Sequence, residues 1–295
     1  MVVQGVSTRK VQKITEELCG EKFSKSLVSD ICKGLDGPIR DFRCRDLGRY
    51  PFVMMDAMYI RVRENHRVVS KAFLLAIGIN PDGHKEILGF DLCSSEKEIN
   101  WKGFFDELLF RGLSGVDLVV SDNHKGLVKA IRESFPNASW QRGQVHMTRN
   151  ILDKTPKRYV EGLKSELKAM FNAQTIREAR TLRNEIVEEY SDVAAEAMQI
   201  LDEGFEDAMT IMALPSKYRV SLRTTNLIER ENRELRKRDN VIGIYPNSLS
   251  AERLLGAVLL DHHKDWAASS RLFSMTEYFE KELKIKLDLK QLKAA

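Results

Sequence analysis

The chain has 295 residues, 43% of them hydrophobic and 31% charged, with a net charge of +4. That length can bury a substantial core in one large or two modest domains, and the composition is that of an ordinary soluble protein. No run approaches the ~20 apolar residues of a membrane helix and MVVQGVSTRK is no signal peptide, so the sequence predicts a soluble, cytoplasmic protein with no membrane partner.

The first elements read as helices. Residues 7–36, STRKVQKITEELCGEKFSKSLVSDICKGLD, predict two short helices split at Cys19-Gly20. Val11, Ile14 and Leu18 stripe the first, and Leu27, Val28 and Ile31 the second. Ser24 is placed to cap the second helix and Gly34 to end it. A helix-turn-helix fits this length, with Lys25, Ser26 and Ser29 available to face DNA; a plain helical hairpin fits the pattern equally well.

The period then changes. PFVMMDAMYIRV (51–62), VVSKAFLLAIGIN (68–80) and KEILGFDLC (85–93) predict three strands of an antiparallel meander. A helix over 98–111 places Ile99, Phe104, Phe105, Leu108 and Leu109 on or near one side. VDLVVS (116–121) reads as a strand buried on both faces in a parallel arrangement, followed by a helix near 124–134 and a strand over SWQRGQV (139–145). That order is the order of a ribonuclease-H-like α/β fold with a mixed sheet. Residues 147–213 read as helical throughout, long enough for an insertion subdomain; a helix over 225–238, a break at 240–248 and further helices over 249–290 complete the chain. The expected divisions are a helix-turn-helix-like segment (1–45), the first part of the catalytic core (46–150), an all-helical insertion (151–218) and the completed core with C-terminal helices (219–295).

Cysteines 19, 32, 44 and 93 form no CxxC pair, which argues against a disulfide framework or a zinc ribbon and predicts reduced, mostly buried thiols. Trp101, Trp140 and Trp266 are expected in the core, and His262 and His263, pointing apart on a helix, are expected to be structural.

Charge and acids carry the functional reading. Residues 217–238, which contain TTNLIERENRELRKR, hold eight Lys/Arg against three Glu, while 154–203 hold eight against ten. A basic cluster of that kind implies a polyanion, with nucleic acid first; a solvated helix face is the other reading. Asp56 lies mid-strand on the face of Phe52, Met54, Met58 and Ile60, where a carboxylate should be paired, protonated or metal-bound. Asp122 ends the buried strand, where α/β sheets bind ligands and where an Asp can also cap the next helix. Glu229 sits inside the basic helix, where an i to i+4 pair with Arg233 would explain it structurally but would leave the positive surplus unexplained.

The stretches MMDAMYI, VSDNHKGL, WQRGQVHMTRN, LRTTNLIERENRELRKR and AERLLGAVLLDHHKDW, in that order over about residues 40–270, resemble the bacterial mutator-type insertion-sequence transposases, a DDE transposase family. The resemblance implies a catalytic triad of Asp56, Asp122 and Glu229, at separations of 66 and 107 residues, with the helical insertion between the last two. Glu231 and Glu234 compete for the third place, but Glu229 fills the slot in TTN-x-IER. It further implies two Mg²⁺ ions, or Mn²⁺ in their place, with Asp56 bridging them, Asp122 and Glu229 each holding one, and His146 positioning or protonating a phosphate-side group. Phosphate contacts would come from Arg219, Arg223, Arg230, Arg233, Arg236 and Arg238, with Arg142 and Arg149 beside His146 either joining them or serving as ordinary surface residues.

On this reading the protein cuts and joins DNA strands at transposon terminal inverted repeats and at target DNA, as a homodimer, in a prokaryotic cytoplasm at the nucleoid. A nuclease of the same fold that never joins strands, and a DNA-binding remnant, are the alternatives. Two features depart from the family. Gly143 stands where the family carries the cysteine of a CxxH motif, and the chain begins near the last helix-turn-helix of a longer N-terminal region, which predicts weak recognition of the terminal repeats.

Overall fold

The computed structural model describes residues 25–294. The first expected helix, Cys19 and the side chain of Lys25 lie outside the described residues. The second expected helix is α1 (Lys25–Lys33), ending one residue before Gly34. A helix the sequence reading lacked follows, α2 (Asp36–Cys44). Its Gly37-Pro38 pair looks like a breaker, yet Pro38 falls in the first turn, where a missing N–H costs no helical hydrogen bond.

Strands β1 (Phe52–Glu64), β2 (Arg67–Ile79) and β3 (Lys85–Cys93) lie close to where the alternation put them. Asn65 and His66, both at positive φ, form the two-residue turn between β1 and β2, the left-handed pair that matches strand twist. β3 runs antiparallel to β2, with a register shift at Ala76/Ile77. After α3 (Glu98–Phe110) come β4 (Leu118–Ser121), α4 (Lys125–Ser134) and β5 (Ser139–Arg142). The five strands are ordered β3-β2-β1-β4-β5, and β4 is parallel to both of its neighbours. All four β4 residues are buried, as a strand covered on both faces requires.

The chain divides into two compact units. One comprises residues to Pro51, Met55–Gly115 and Ile228–Leu272; the other comprises Phe52–Met54, Val116–Leu227 and Phe273–Ala295. In the first, α10 (Asn226–Ile242, from Ile228 onward) and α11 (Ser248–Ala268) accompany α1–α3 and the hairpin strands. Gly256 lets α11 lie close on β3: a Cβ there would come within 2.7 Å of Phe90 and 3.0 Å of Ile39. Trp101, Phe104, Phe105 and Leu108 of α3 are buried, whereas Ile99 is 71% exposed, because it falls on the far side of the first turn.

In the second unit, α5 (Gln144–Asp153), α6 (Val160–Phe171), α7 (Ile176–Tyr190) and α8 (Ala195–Met209) build a helical core around Leu163, Leu167, Met170, Ile186, Leu201 and Phe205. The stretch expected to be helical from 147 to 213 is so. The strand expected over 139–145 stops at Arg142 instead. Gly143 takes the N-cap of α5, giving its N–H to Ser121 O, and Gln144 gives its own to Arg223 O. After α9 (Ser216–Leu222), the C-terminal α12 (Thr276–Glu280) and α13 (Glu282–Ala294) complete this unit.

The thiols correct one expectation. Cys32, Cys44 and Cys93 are free, but Cys44 is exposed and the other two are half-buried. They lie at or next to the ends of α1, α2 and β3. Burial, helped by the Asp91 carboxylate that accepts its S–H at 3.0 Å, pushes the Cys93 thiol up to about 12. Trp101 and Trp140 are buried, while Trp266 is half-buried with Lys85 Nζ 4.2 Å above its ring. Among the described residues no helix is long and apolar enough to cross a membrane.

Candidate functional site

β1 presents Asp56 between Met54 and Met58, both buried, with the carboxylate itself half-buried. Its Oδ1 accepts the N–H of Ala57 at 2.8 Å, and its Oδ2 accepts Asn232 Nδ2 at 2.8 Å. These two bonds take two of the roughly four lone-pair sites of a carboxylate. Asn232 lies on α10, one turn after Glu229, so one hydrogen bond fastens the acid-bearing strand to the acid-bearing helix. Sequence reasoning did not single out Asn232. The signal was there: Ile228, Asn232 and Leu235 follow the i, i+4, i+7 spacing of the buried stripe, and an amide stands where an apolar side chain belongs.

The other residues of α10 separate by environment. Glu229 is half-buried in the first turn, where a carboxylate meets the positive end of the helix dipole. Glu231 is 4% exposed and sits 2.7 Å from His262 Nδ1. Glu234 pairs with Lys237 at 2.6 Å and Arg238 at 2.9 Å, which hold its carboxyl below the usual range, so Arg238 is committed to an ion pair at this point. Arg230, Arg233 and Arg236 are exposed.

The Glu231 hydrogen bond raises the His262 pKa above its ordinary 6.5, with Asp261 adding and burial and Arg238 opposing. A histidine whose folded pKa exceeds its unfolded one binds a proton on folding. Its contribution is therefore full below the unfolded value and is lost as pH rises through the folded value. His262→Gln, which can still donate to Glu231 but cannot charge, should flatten this descending limb in urea unfolding measured from about pH 5 to 9. An unchanged pH profile would assign the pair no proton-linked role.

In the second unit, Asp122 is half-buried just beyond β4 and accepts the His124 N–H at 3.3 Å. Helix α4 takes no side-chain cap from it. Arg142 is buried, its pKa lowered by burial against the pull of Asp207, Asp122 and Glu203. Gly204 leaves room for it: a Cβ there would meet Arg142 Nη1 at 2.2 Å. Arg219 spends its guanidinium on the carbonyls of Leu214, Met212 and Gln174. Arg223 reaches Asn172 Oδ1 at 2.7 Å and rims a hollow of about 250 Å³ with Lys164 and Lys168 over Val145 and Phe171. His146 is half-buried on α5, and Arg149 on the same helix is exposed.

Gly143 has φ −61° and ψ 114°, and a Cβ there would meet Thr225 Cγ2 and Oγ1 at 3.4 Å and Ser121 O at 3.5 Å. The backbone is ordinary and the space sufficient for a side chain. A modest N-cap loss and a modest unfolded-chain gain offset each other, so Gly143→Cys should fold within about 1 kcal/mol of the parent. Urea unfolding of the two proteins checks this, and a loss of several kcal/mol would mean that glycine itself is required here.

The donors fit a hard divalent cation in kind. Asp56 and Glu229 are half-buried carboxylates on elements of one unit, and Asn232, itself buried, donates to Asp56 from behind. Among the described residues, no three His, Cys, Asp or Glu side chains are gathered into a group that could hold a metal ion by themselves.

The exposed Arg230, Arg233 and Arg236 of α10 form the kind of basic surface that takes a polyanion, in an α/β protein with a mixed sheet. Residues 1–269 match the transposase family called Mutator, and the chain belongs to that family. It is 47% identical over 277 residues to the transposase for insertion sequence element IS256 in transposon Tn4001 of Staphylococcus aureus, covering 92% of this chain and 71% of that one. With the transposase for element ISRM5 of Rhizobium meliloti it shares 39% identity over 292 residues, 99% of this chain and 73% of the relative. The transposase for element IS1081 of Mycobacterium tuberculosis is 37% identical over 273 residues, 92% and 66% of the two chains. The protein is a DNA transposase.

Proposed function

We propose that the chain cuts DNA at the ends of an insertion sequence and joins the freed 3′ end to a target strand, with Asp56, Asp122 and Glu229 as its DDE acids on a ribonuclease-H-like catalytic domain. The observation that carries the reading is the Asp56–Asn232 hydrogen bond, which ties the acid of β1 to the helix of Glu229. Glu229, half-buried in the first turn of α10 and one turn before Asn232, is supported as the third by its place beside that bond. Mg²⁺, or Mn²⁺ in its place, bound as a pair at these carboxylates would supply an activated water and a neutralised leaving oxygen.

The chain's own residues do the rest. Asp56 enters with its carboxylate oriented by Asn232; Asp122 and Glu229 complete the anionic set; His146 positions a phosphate-side group. Arg149, Arg230, Arg233 and Arg236, exposed, take phosphates, with Arg223 at the rim of its hollow and Lys25 on the N-terminal segment. Arg142 and Arg219, engaged inside the fold, support this surface rather than meeting DNA. Residues 46–150 and 219–295 form the catalytic core and 151–218 its insertion, and the segment before residue 46 serves DNA binding. The substrates are duplex DNA with terminal inverted repeats and a target duplex, held by a homodimer at the nucleoid.

The test is cleavage and joining of a labelled duplex carrying the element's end, with Mg²⁺ or Mn²⁺, by this protein and by Glu229→Gln. Joined product that disappears in the variant is the expected result. Cleavage without joining would make the protein a nuclease, and binding without cutting by either protein would leave a DNA-binding remnant.

A further inference from the structure

We propose that Asn232 is a positioning residue of the site: its amide fixes the Asp56 carboxylate in the orientation that receives the divalent ion. This rests on the reading of Asp56 as an ion-holding acid. Asn232 is 4% exposed and lies on the buried stripe of α10 with Ile228 and Leu235. Its Nδ2 donates to Asp56 Oδ2 at 2.8 Å, while its Oδ1 is buried and accepts nothing. The reverse orientation of the amide would set an oxygen against a carboxylate oxygen at the same distance, two acceptors facing each other.

Stability alone would not select this residue. A buried carbonyl oxygen without a donor is unfavourable, and a leucine on the same stripe would bury apolar surface at no such cost. Asp56 does not need Asn232 for solvation either, since a half-buried carboxylate can take water in its place. What the amide adds is direction. With Oδ1 of Asp56 on its own Ala57 N–H and Oδ2 on Asn232, the carboxylate is held at both oxygens. Neutral donors at those points orient it without cancelling its charge, as partners behind ion-binding carboxylates do. A lysine or arginine there would hold the carboxylate equally well and compete with the ion.

The test is Mn²⁺ binding to the full chain without DNA, followed by the electron paramagnetic resonance of free Mn²⁺, for the parent, Asn232→Leu and Asp56→Asn, with urea unfolding of each. Asn232→Leu should weaken Mn²⁺ binding by about 10- to 100-fold while its unfolding midpoint stays level or rises. A purely structural amide would give the opposite pattern, a lower midpoint with Mn²⁺ affinity unchanged, and that would overturn the inference. If Asp56→Asn weakens binding and Asn232→Leu does not, the inference fails and the role of Asp56 stands. If Asp56→Asn leaves binding unchanged, the reading of the acid itself fails. Should Asn232→Leu not fold, Asn232→Ser, too short to reach Asp56, carries the same expectation.

Discussion

Replacing Asp56 by asparagine is expected to abolish strand cleavage and joining while leaving DNA binding within about twofold. The substitution is nearly isosteric, and an amide oxygen at the same position can still accept from Asn232, so the link between β1 and α10 survives. What is lost is one negative charge, together with the acceptor for the Ala57 N–H. Transition-state stabilisation at a divalent-ion site runs to several kcal/mol, and each 1.36 kcal/mol is a factor of ten, so a loss of about 10³-fold or more follows. Binding should persist because Arg149, Arg230, Arg233 and Arg236 are exposed, and the phosphate contacts proposed for them do not depend on this acid. The measurement is a single-turnover assay on a labelled transposon end, paired with a binding isotherm at fixed salt. Residual activity within tenfold of the parent would remove Asp56 from the chemistry.

The second large effect concerns the fold. Phe52 is fully buried in the second unit, with its ring 5.1 Å from Tyr278, 6.1 Å from Tyr218 and 6.2 Å from Phe273. These partners come from α9 and the C-terminal segment, and they are pinned further: Tyr218 donates its hydroxyl to Ser274 O and accepts the Tyr278 N–H. Rings held at both ends cannot collapse into a vacated space. Phe52→Ala should therefore pay the upper part of the large-to-small range, about 3–5 kcal/mol. Urea unfolding gives the number, with Val220→Ala, at an exposed α9 position, as a control expected to stay within about 0.5 kcal/mol. A loss below about 1 kcal/mol for Phe52→Ala would mean that the aromatic cluster relaxes and does not anchor the start of β1.

Several features were legible because they depend on residues close in sequence. The alternation of Met58, Ile60 and Val62 with Tyr59, Arg61 and Arg63 identifies β1, since a strand exposes every second side chain. The unbroken VDLVVS run marks β4 as covered on both faces, and Asn65-His66 supplies the tight turn. Other features were hidden by the same logic. Gly143 looked like part of a strand because its neighbours are strand formers, yet hydrogen bonds that Gly143 and Gln144 donate to the carbonyls of Ser121 and Arg223, distant in sequence, turn the chain into α5 there.

The candidate acids divide along this line as well. Asp56, Asp122 and Glu229 stood out from their local patterns. That Glu231 turns toward His262, that Glu234 is taken up by Lys237 and Arg238, and that Arg142 and Arg219 turn inward could be seen only once the elements were packed. A side chain's partner across space carries no trace in its own neighbourhood.

The sequence by itself determined most of the strands and helices, α2 excepted, and the acids offered for the chemistry, because period and spacing are properties of a chain read along its length; the family came from the resemblance of whole motifs taken in order. Only the tertiary structure decided which of the polar groups on α10 are employed in holding the fold and which of its side chains donates to Asp56. The bond between Asp56 and Asn232 joins residues 176 positions apart, and no local pattern specifies a contact at that separation.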